Sequence, residues 1–139
     1  MAPVIVKERA KDQGGGIYTQ DVVTSRHHLL ADEPESYGSA DLGPTPFEYL
    51  CAALGACTTI TLRMYVERKG WEVEHLACEV THQKVSIGDL PPKDVFTRVL
   101  TIRGDIDEAQ RKRMLVIADK CPVHKTLHAS SDIETKVTA

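Results

Sequence analysis

The run from Thr45 to Gly70 constrains this chain of 139 residues more than any other segment. Thr45 is a good N-cap, Pro46 suits the first helical position, and Glu48 stands third, where it completes a capping box. The helix runs to Lys69 and stops at Gly70, roughly 24 residues or ~36 Å at 1.5 Å per residue. From Leu50 to Leu62 it is apolar on nearly all sides, which predicts a central, buried helix. The short elements left in one chain can hardly cover such a helix. A homodimer is therefore expected, with an apolar interface of the obligate class above ~2,000 Å².

The flanking segments read as strands and shorter helices. Val4–Glu8 and Ile17–Leu30 are rich in β-branched residues and are separated by Gly14, Gly15 and Gly16, which predicts a strand, a loose turn and a long strand. The polar stretch from Ala31 to Pro44 reads as an ordered loop. After Gly70 the period shortens, and Trp71–Val85 and Val95–Arg103 predict two strands joined by a turn at Gly88–Pro92. Asp107 and Gln110 form a second capping box and open a helix to about Lys120. Leu115 and Ala118 are placed on its buried face, with Arg111, Lys112 and Arg113 near its exposed side. A short element follows Pro122, and Ile133–Val137 reads as a final strand. The order ββ-α-ββ-α-β predicts one α+β domain over residues 1–139, with a sheet wrapped around the long helix.

Composition excludes several classes of function. Formal charge is 17 − 20 = −3, with basic residues scattered among acids, so no positive stripe for nucleic acid forms. Apolar stretches such as Val99–Ile102 and Met114–Ala118 fall far short of the ~20 residues that span a bilayer. The first residues, from Met1 to Ala10, lack a basic segment followed by an apolar run, so no secretory signal is expected. These features predict a cytoplasmic protein, in which thiols stay reduced unless they do redox chemistry.

Four cysteines are then the residues to weigh. Cys51 and Cys57 are six apart on one helix, ~9 Å along the axis and ~120° apart in direction, which excludes a disulfide between them. Cys51, among Leu50, Ala52 and Leu54, and Cys78, on a strand, read as small hydrophobes. Cys57 lies among Gly55, Ala56 and Thr58, small residues that admit another chain segment close to the sulfur. Cys121 precedes Pro122, where an N-cap thiol feels the positive end of a helix and can ionise more readily; it reads as reactive or inert from position alone. Cys121, His124 and His128 have a spacing that could place three metal ligands on one side of a short helix, but no fourth ligand stands at a recognisable distance, and solvated or capping histidines explain them as well. His27 and His28, neighbours on one predicted strand, face opposite ways.

Gly43-Pro44-Thr45-Pro46-Phe47-Glu48-Tyr49-Leu50, then Ala52-Ala53-Leu54-Gly55-Ala56-Cys57, and later Lys120-Cys121-Pro122-Val123 resemble the OsmC/Ohr family. Ala31–Pro34 is similar to the OsmC-like branch rather than the organic hydroperoxide resistance branch. The resemblance implies an α+β fold in an intertwined homodimer, and cysteine-based reduction of organic or inorganic hydroperoxides without a cofactor or metal. It implies that Cys57 attacks the peroxide, that Cys121 resolves the product to a disulfide, and that a small or protein dithiol reduces it. Family peroxidases usually carry an Arg near the first hairpin turn and a Glu ten residues before the first Cys. Here Lys11–Gly16 contains no Arg, and Phe47 holds the second position. Glu48 is one residue displaced and has two roles open to it, as helix cap or as partner of a cation beside Cys57. Nine residues at 100° each place it on the opposite side of a straight helix, which favours the cap. Arg26, and after it Arg98, are the substitute cations, with a plain exposed arginine as the simpler account of Arg26. Two other classes remain: a non-enzymatic thiol/disulfide-sensing or small-ligand-binding module on the same fold, and a metal-binding protein using Cys121, His124 and His128.

Overall fold

The computed structural model describes residues Met1–Thr138. Its elements are β1 (Ile5–Glu8), β2 (Gln20–Val23), β3 (His28–Ala31), α1 (Pro46–Lys69), β4 (Glu72–Val85), β5 (Lys93–Asp105), α2 (Glu108–Ala118) and α3 (Pro122–His128), an α+β architecture with two antiparallel sheets. The chain gathers into two compact units, Met1–Leu50 and Cys51 onward.

In the first unit β1, β2 and β3 form an antiparallel sheet in that order. The expected long strand from Ile17 to Leu30 is instead broken by a turn. The Thr24 hydroxyl accepts from the amides of Arg26 and His27, and the Thr24 amide donates to the His27 carbonyl. A β-branched residue that doubles as a turn cap hides the break from strand propensity. The first turn is braced by Arg9, which donates to the carbonyls of Gln13 and Gly14 and to Asp21. Thr45 and Glu48 form the capping box of α1: the Thr45 amide donates to Glu48 Oε2 at 2.7 Å, and the Glu48 amide to Thr45 Oγ1 at 3.3 Å.

In the second unit β4 and β5 make a long two-stranded ribbon in which Cys78 pairs with Leu100 and Val80 with Arg98. Paired residues share a face and side chains alternate, so Cys78, Val80, Arg98 and Leu100 point the same way. Leu62, Tyr65 and Val66 of α1 pack with Val73 of β4 and with Met114, Ile117 and Ala118 of α2 to form the core. Gly70, at φ 67°, ends α1 as expected, and the Trp71 amide closes the last turn on the Val66 carbonyl.

Within one chain α1 is buried along one stripe only, with Ile60 and Met64 on the opposite side 54% and 69% exposed. It is also long and apolar enough, by length and composition alone, to cross a membrane, a property shared by core helices of soluble proteins. Arg63 and several threonines interrupt the helix, so no uninterrupted apolar run marks it in the sequence. On α2, Met114, Ile117 and Ala118 form the buried face and Leu115 is exposed, because positions three and four apart share a side of a helix. Residues Ile133–Val137 form no strand: alternation alone cannot make one without an edge to pair with, and none among the described residues receives it.

Candidate functional site

Cys57 and Cys121, 64 positions apart in sequence, are brought side by side within the second unit. Cys57 comes from the middle of α1, where Gly55 lets the helix lie close to β4: a Cβ on that glycine would stand 3.2 Å from Val80 Cγ2. Cys121 is delivered by the link between α2 and α3. It is the N-cap of α3, followed by Pro122 at the first helical position, and its sulfur accepts the His124 amide at 3.4 Å.

The two sulfurs share a hydrogen bond in which the Cys57 thiol donates and Cys121 accepts. Their environments push them apart. Burial raises Cys57, and its bond and charge interaction with Cys121 raise it further, against weaker opposition from the Val123 amide and the Thr61 hydroxyl. Burial also opposes ionisation of Cys121, whose side chain is wholly enclosed. Donors nevertheless outweigh it: the Cys57 thiol, the amides of His124 and Val123, and the Thr58 hydroxyl bring Cys121 below the ordinary thiol range. The ionisation belongs to the pair rather than to either thiol alone. Cys57 is the more accessible of the two sulfurs.

Arg98 reaches this site from β5. Nη1 donates to Thr58 Oγ1 and to the Ala118 carbonyl, both at 3.0 Å; Nη2 donates to Asp119 Oδ1 at 2.8 Å and to His124 Nδ1 at 2.9 Å. Its charge also opposes the rise that burial imposes on the nearby Cys78 thiol. An open cleft of about 320 Å³ adjoins the guanidinium, with Leu54, Phe96 and Leu127 as apolar walls and Lys93 and His128 at its polar side.

The other sequence candidates stand elsewhere. Arg26 lies in the exposed turn between β2 and β3. Glu48 is engaged in the capping box with Thr45. Cys121, His124 and His128 do not converge on a point: the Cys121 sulfur faces Cys57, His124 Nδ1 faces Arg98, and the two imidazoles stack at 5.7 Å. Among the described residues no group of three His, Cys, Asp or Glu side chains is gathered as a metal centre. Sequence reasoning missed Thr58, Thr61 and Asp119. The signal was there in the hydroxyls that follow Cys57 on an otherwise apolar helix, since buried polar groups must find partners. It also missed Arg9, which precedes the turn in which an Arg was sought.

The family model described as OsmC-like protein matches residues 38–136. No curated protein sequence matches the chain. Among solved structures it is similar to an OsmC-like protein from Mycoplasma pneumoniae, at 16% identity and TM-score 0.72 over 92% of this chain and 87% of that one. It is similar to an organic hydroperoxide resistance protein OsmC from Legionella pneumophila, described as a predicted redox protein, at 15% identity and TM-score 0.63 over 91% and 90% of the two chains. It is also similar to an organic hydroperoxide resistance protein from Elizabethkingia anophelis, at 12% identity and TM-score 0.64 over 90% and 87%.

Proposed function

The chain belongs to the OsmC-like protein family, and from that premise we propose that it is a cysteine-based hydroperoxide reductase in which Cys57 attacks and Cys121 resolves. The observation that supports this reading best is that the two thiols, 64 positions apart in sequence, lie close enough to act on each other's ionisation in opposite directions. Cys121 serves first as base. As a hydroperoxide reaches Cys57, the Cys57 proton passes to Cys121, and the freed sulfur electron pair attacks the terminal, hydrogen-bearing oxygen of the peroxide. The O–O bond breaks, an alkoxide leaves, and it takes the proton from Cys121 to become the alcohol. Cys57 is now a sulfenic acid and Cys121 a thiolate. Cys121 attacks the Cys57 sulfur, the S–S bond forms, the S–O bond breaks, and hydroxide leaves. The peroxide is reduced by two electrons and the pair is oxidised by two. An adjacent resolving thiol outruns further oxidation to the sulfinic acid. A small or protein dithiol, in a reducing compartment such as the cytoplasm, returns the disulfide to thiols.

In this reading Glu48 stays a helix cap, and Arg26, on its exposed turn, takes no part in the chemistry. The exposed side of α1 that bears Ile60 and Met64 is covered by a second copy of the chain; sedimentation at micromolar concentration is expected to give a dimer, and a stable monomer would remove that part of the proposal. The test of the reaction is consumption of an organic hydroperoxide with dithiothreitol, with peptide mapping of the oxidised protein. Multiple turnovers and a single Cys57–Cys121 disulfide support the reductase. One oxidation per chain without turnover supports a thiol/disulfide-sensing module instead.

A further inference from the structure

We infer that Arg98 is the positioning residue of the cysteine pair: its guanidinium holds both Thr58 and His124, the two residues whose O–H and N–H reach the Cys121 sulfur. The inference rests on the thiol chemistry proposed above, and it assigns to β5 a role for which the family resemblance points to other positions.

Thr58 Oγ1 lies 3.0 Å from Arg98 Nη1 and 2.7 Å from the Leu54 carbonyl, and its hydroxyl also reaches the Cys121 sulfur. A guanidinium only donates, so Nη1 occupies a lone pair of Oγ1. The single hydroxyl proton is left to choose between the Leu54 carbonyl and the sulfur. When Cys121 is a thiolate the charge-assisted bond to sulfur is the stronger choice, and the cation behind the hydroxyl strengthens it further.

The second arm acts on α3. Because Arg98 Nη2 donates to His124 Nδ1 at 2.9 Å, the imidazole carries its proton on Nε2, and the residue is pinned whose backbone amide donates to Cys121 Sγ at 3.4 Å. A third contact fixes the approach of the chain: the Ala118 carbonyl accepts Arg98 Nη1 at 3.0 Å and the Cys121 amide at 3.3 Å. The Arg98 side chain is only 14% exposed, which keeps these bonds from being screened as a surface pair would be. Asp119 orients it at 2.8 Å from the solvent side. Lysine cannot replace it in full, because one ammonium has no planar fork to span Thr58, Ala118, Asp119 and His124 together. The titratable and charged groups around the pair are thus Cys78 from β4, Arg98 from β5, Asp119 after α2 and His124 on α3.

The experiment is the pH profile of thiolate formation, read by absorbance at short wavelength and by the rate of alkylation, in the full chain with Cys51 and Cys78 changed to Ala. In Arg98→Gln the midpoint of the first ionisation is expected to rise by about one unit, the scale of one hydrogen bond to a charged group. Thr58→Val is expected to give a similar rise, and the double variant a shift smaller than the sum of the two, because both changes cut the Thr58 arm. Arg98→Lys should recover part of the shift. An unchanged midpoint in Arg98→Gln, or shifts that add in full, overturns the inference. If Arg98→Gln does not fold, unchanged midpoints in Arg98→Lys and Thr58→Val overturn it equally. Peroxide consumption is measured separately on the wild type. Failure there strikes the proposed reaction, whereas an unmoved thiol profile in an active enzyme strikes only the role of Arg98.

Discussion

Asp32 in the first unit and the Cys57–Cys121 pair in the second are both polar groups taken out of water, and they are treated in opposite ways. Burial by itself would raise the Asp32 carboxyl, but Ser39, the Leu42 amide, Thr19 and the Glu33 amide all donate to it and bring it to about 2. Each lone pair has an assigned donor, and one protonation state satisfies every partner. Such a cluster sets the shape of the loop after β3 and does no chemistry. The cysteine pair has two sulfurs and a proton that both can hold. Donors are crowded on Cys121 while the more accessible sulfur is Cys57. A buried polar group is structural where its partners agree on one state; neighbouring thiols pushed in opposite directions suit the chemistry proposed above.

The comparison breaks most visibly at the nucleophile. Cys57→Ala is expected to lower peroxide consumption by on the order of a thousandfold or more, as loss of a nucleophile does in other covalent mechanisms, with thermal stability little changed. In Cys121→Ser, Cys57 should still react once, but mass spectrometry should then find sulfenic and sulfinic acid in place of the disulfide. Rapid turnover in Cys57→Ala would place the chemistry elsewhere.

Asp32→Asn tests the other side. It replaces a carboxylate by an amide whose N–H groups face donors, and is expected to lower stability by about 2–3 kcal/mol in chemical denaturation. The sign with pH follows from the lowered value. Asp32 sits below the ~3.9 of an unfolded Asp, so its contribution is present above pH ~4 and is lost as pH falls toward 2. The acid-unfolding curve of the variant should therefore be flatter over that window. A thiol pH profile that moved with it would break the contrast between the two clusters.

Within the pair, the Cys57 thiol is one of the donors that keep Cys121 low. Cys57→Ala removes it, so ionisation of Cys121 is expected to move up by about one unit at most, read by alkylation of Cys121 across pH 6–10. A midpoint that did not move would show that the amides and Thr58 suffice without a shared proton.

The contrast also explains what could be read from sequence. Elements signalled locally were legible: the capping boxes at Thr45–Glu48 and Asp107–Gln110, the stop at Gly70, and the helical start at Pro122 after Cys121 all stand as residue chemistry dictates. What depended on distant partners was not. Thr24 looks like a strand residue until its hydroxyl is seen capping a turn, and Ile133–Val137 alternates correctly but finds no edge among the described residues. For the candidate site, the small-residue surroundings of Cys57, the N-cap position of Cys121 and the family resemblance single out the two thiols that the fold brings close together. Arg98 stands second to Arg26 among the candidate cations, because nothing near it in sequence marks it. It reaches Thr58 only because pairing with Val80 turns it to the same side as Cys78.

The smallest expected effect is at Glu48, and it decides whether the helix start belongs with the structural groups or the reactive ones. Its carboxylate accepts the Thr45 amide at 2.7 Å while its own amide donates to Thr45 Oγ1, so one of the orphan donors at the start of α1 depends on it directly. Glu48→Ala should cost about 1 kcal/mol, a few degrees in melting temperature for a domain of this size. Glu48→Gln, which keeps an acceptor oxygen for the Thr45 amide but gives up the charge, should recover most of that loss. The rate at which Cys57 reacts with hydroperoxide should stay within a factor of two in both variants, since about 1.4 kcal/mol of barrier is needed for a tenfold change. A tenfold slower thiol in Glu48→Gln at wild-type stability would mean that the charge, not the cap, is what the site uses. Glu48 would then join Cys57 and Cys121 on the reactive side of the comparison.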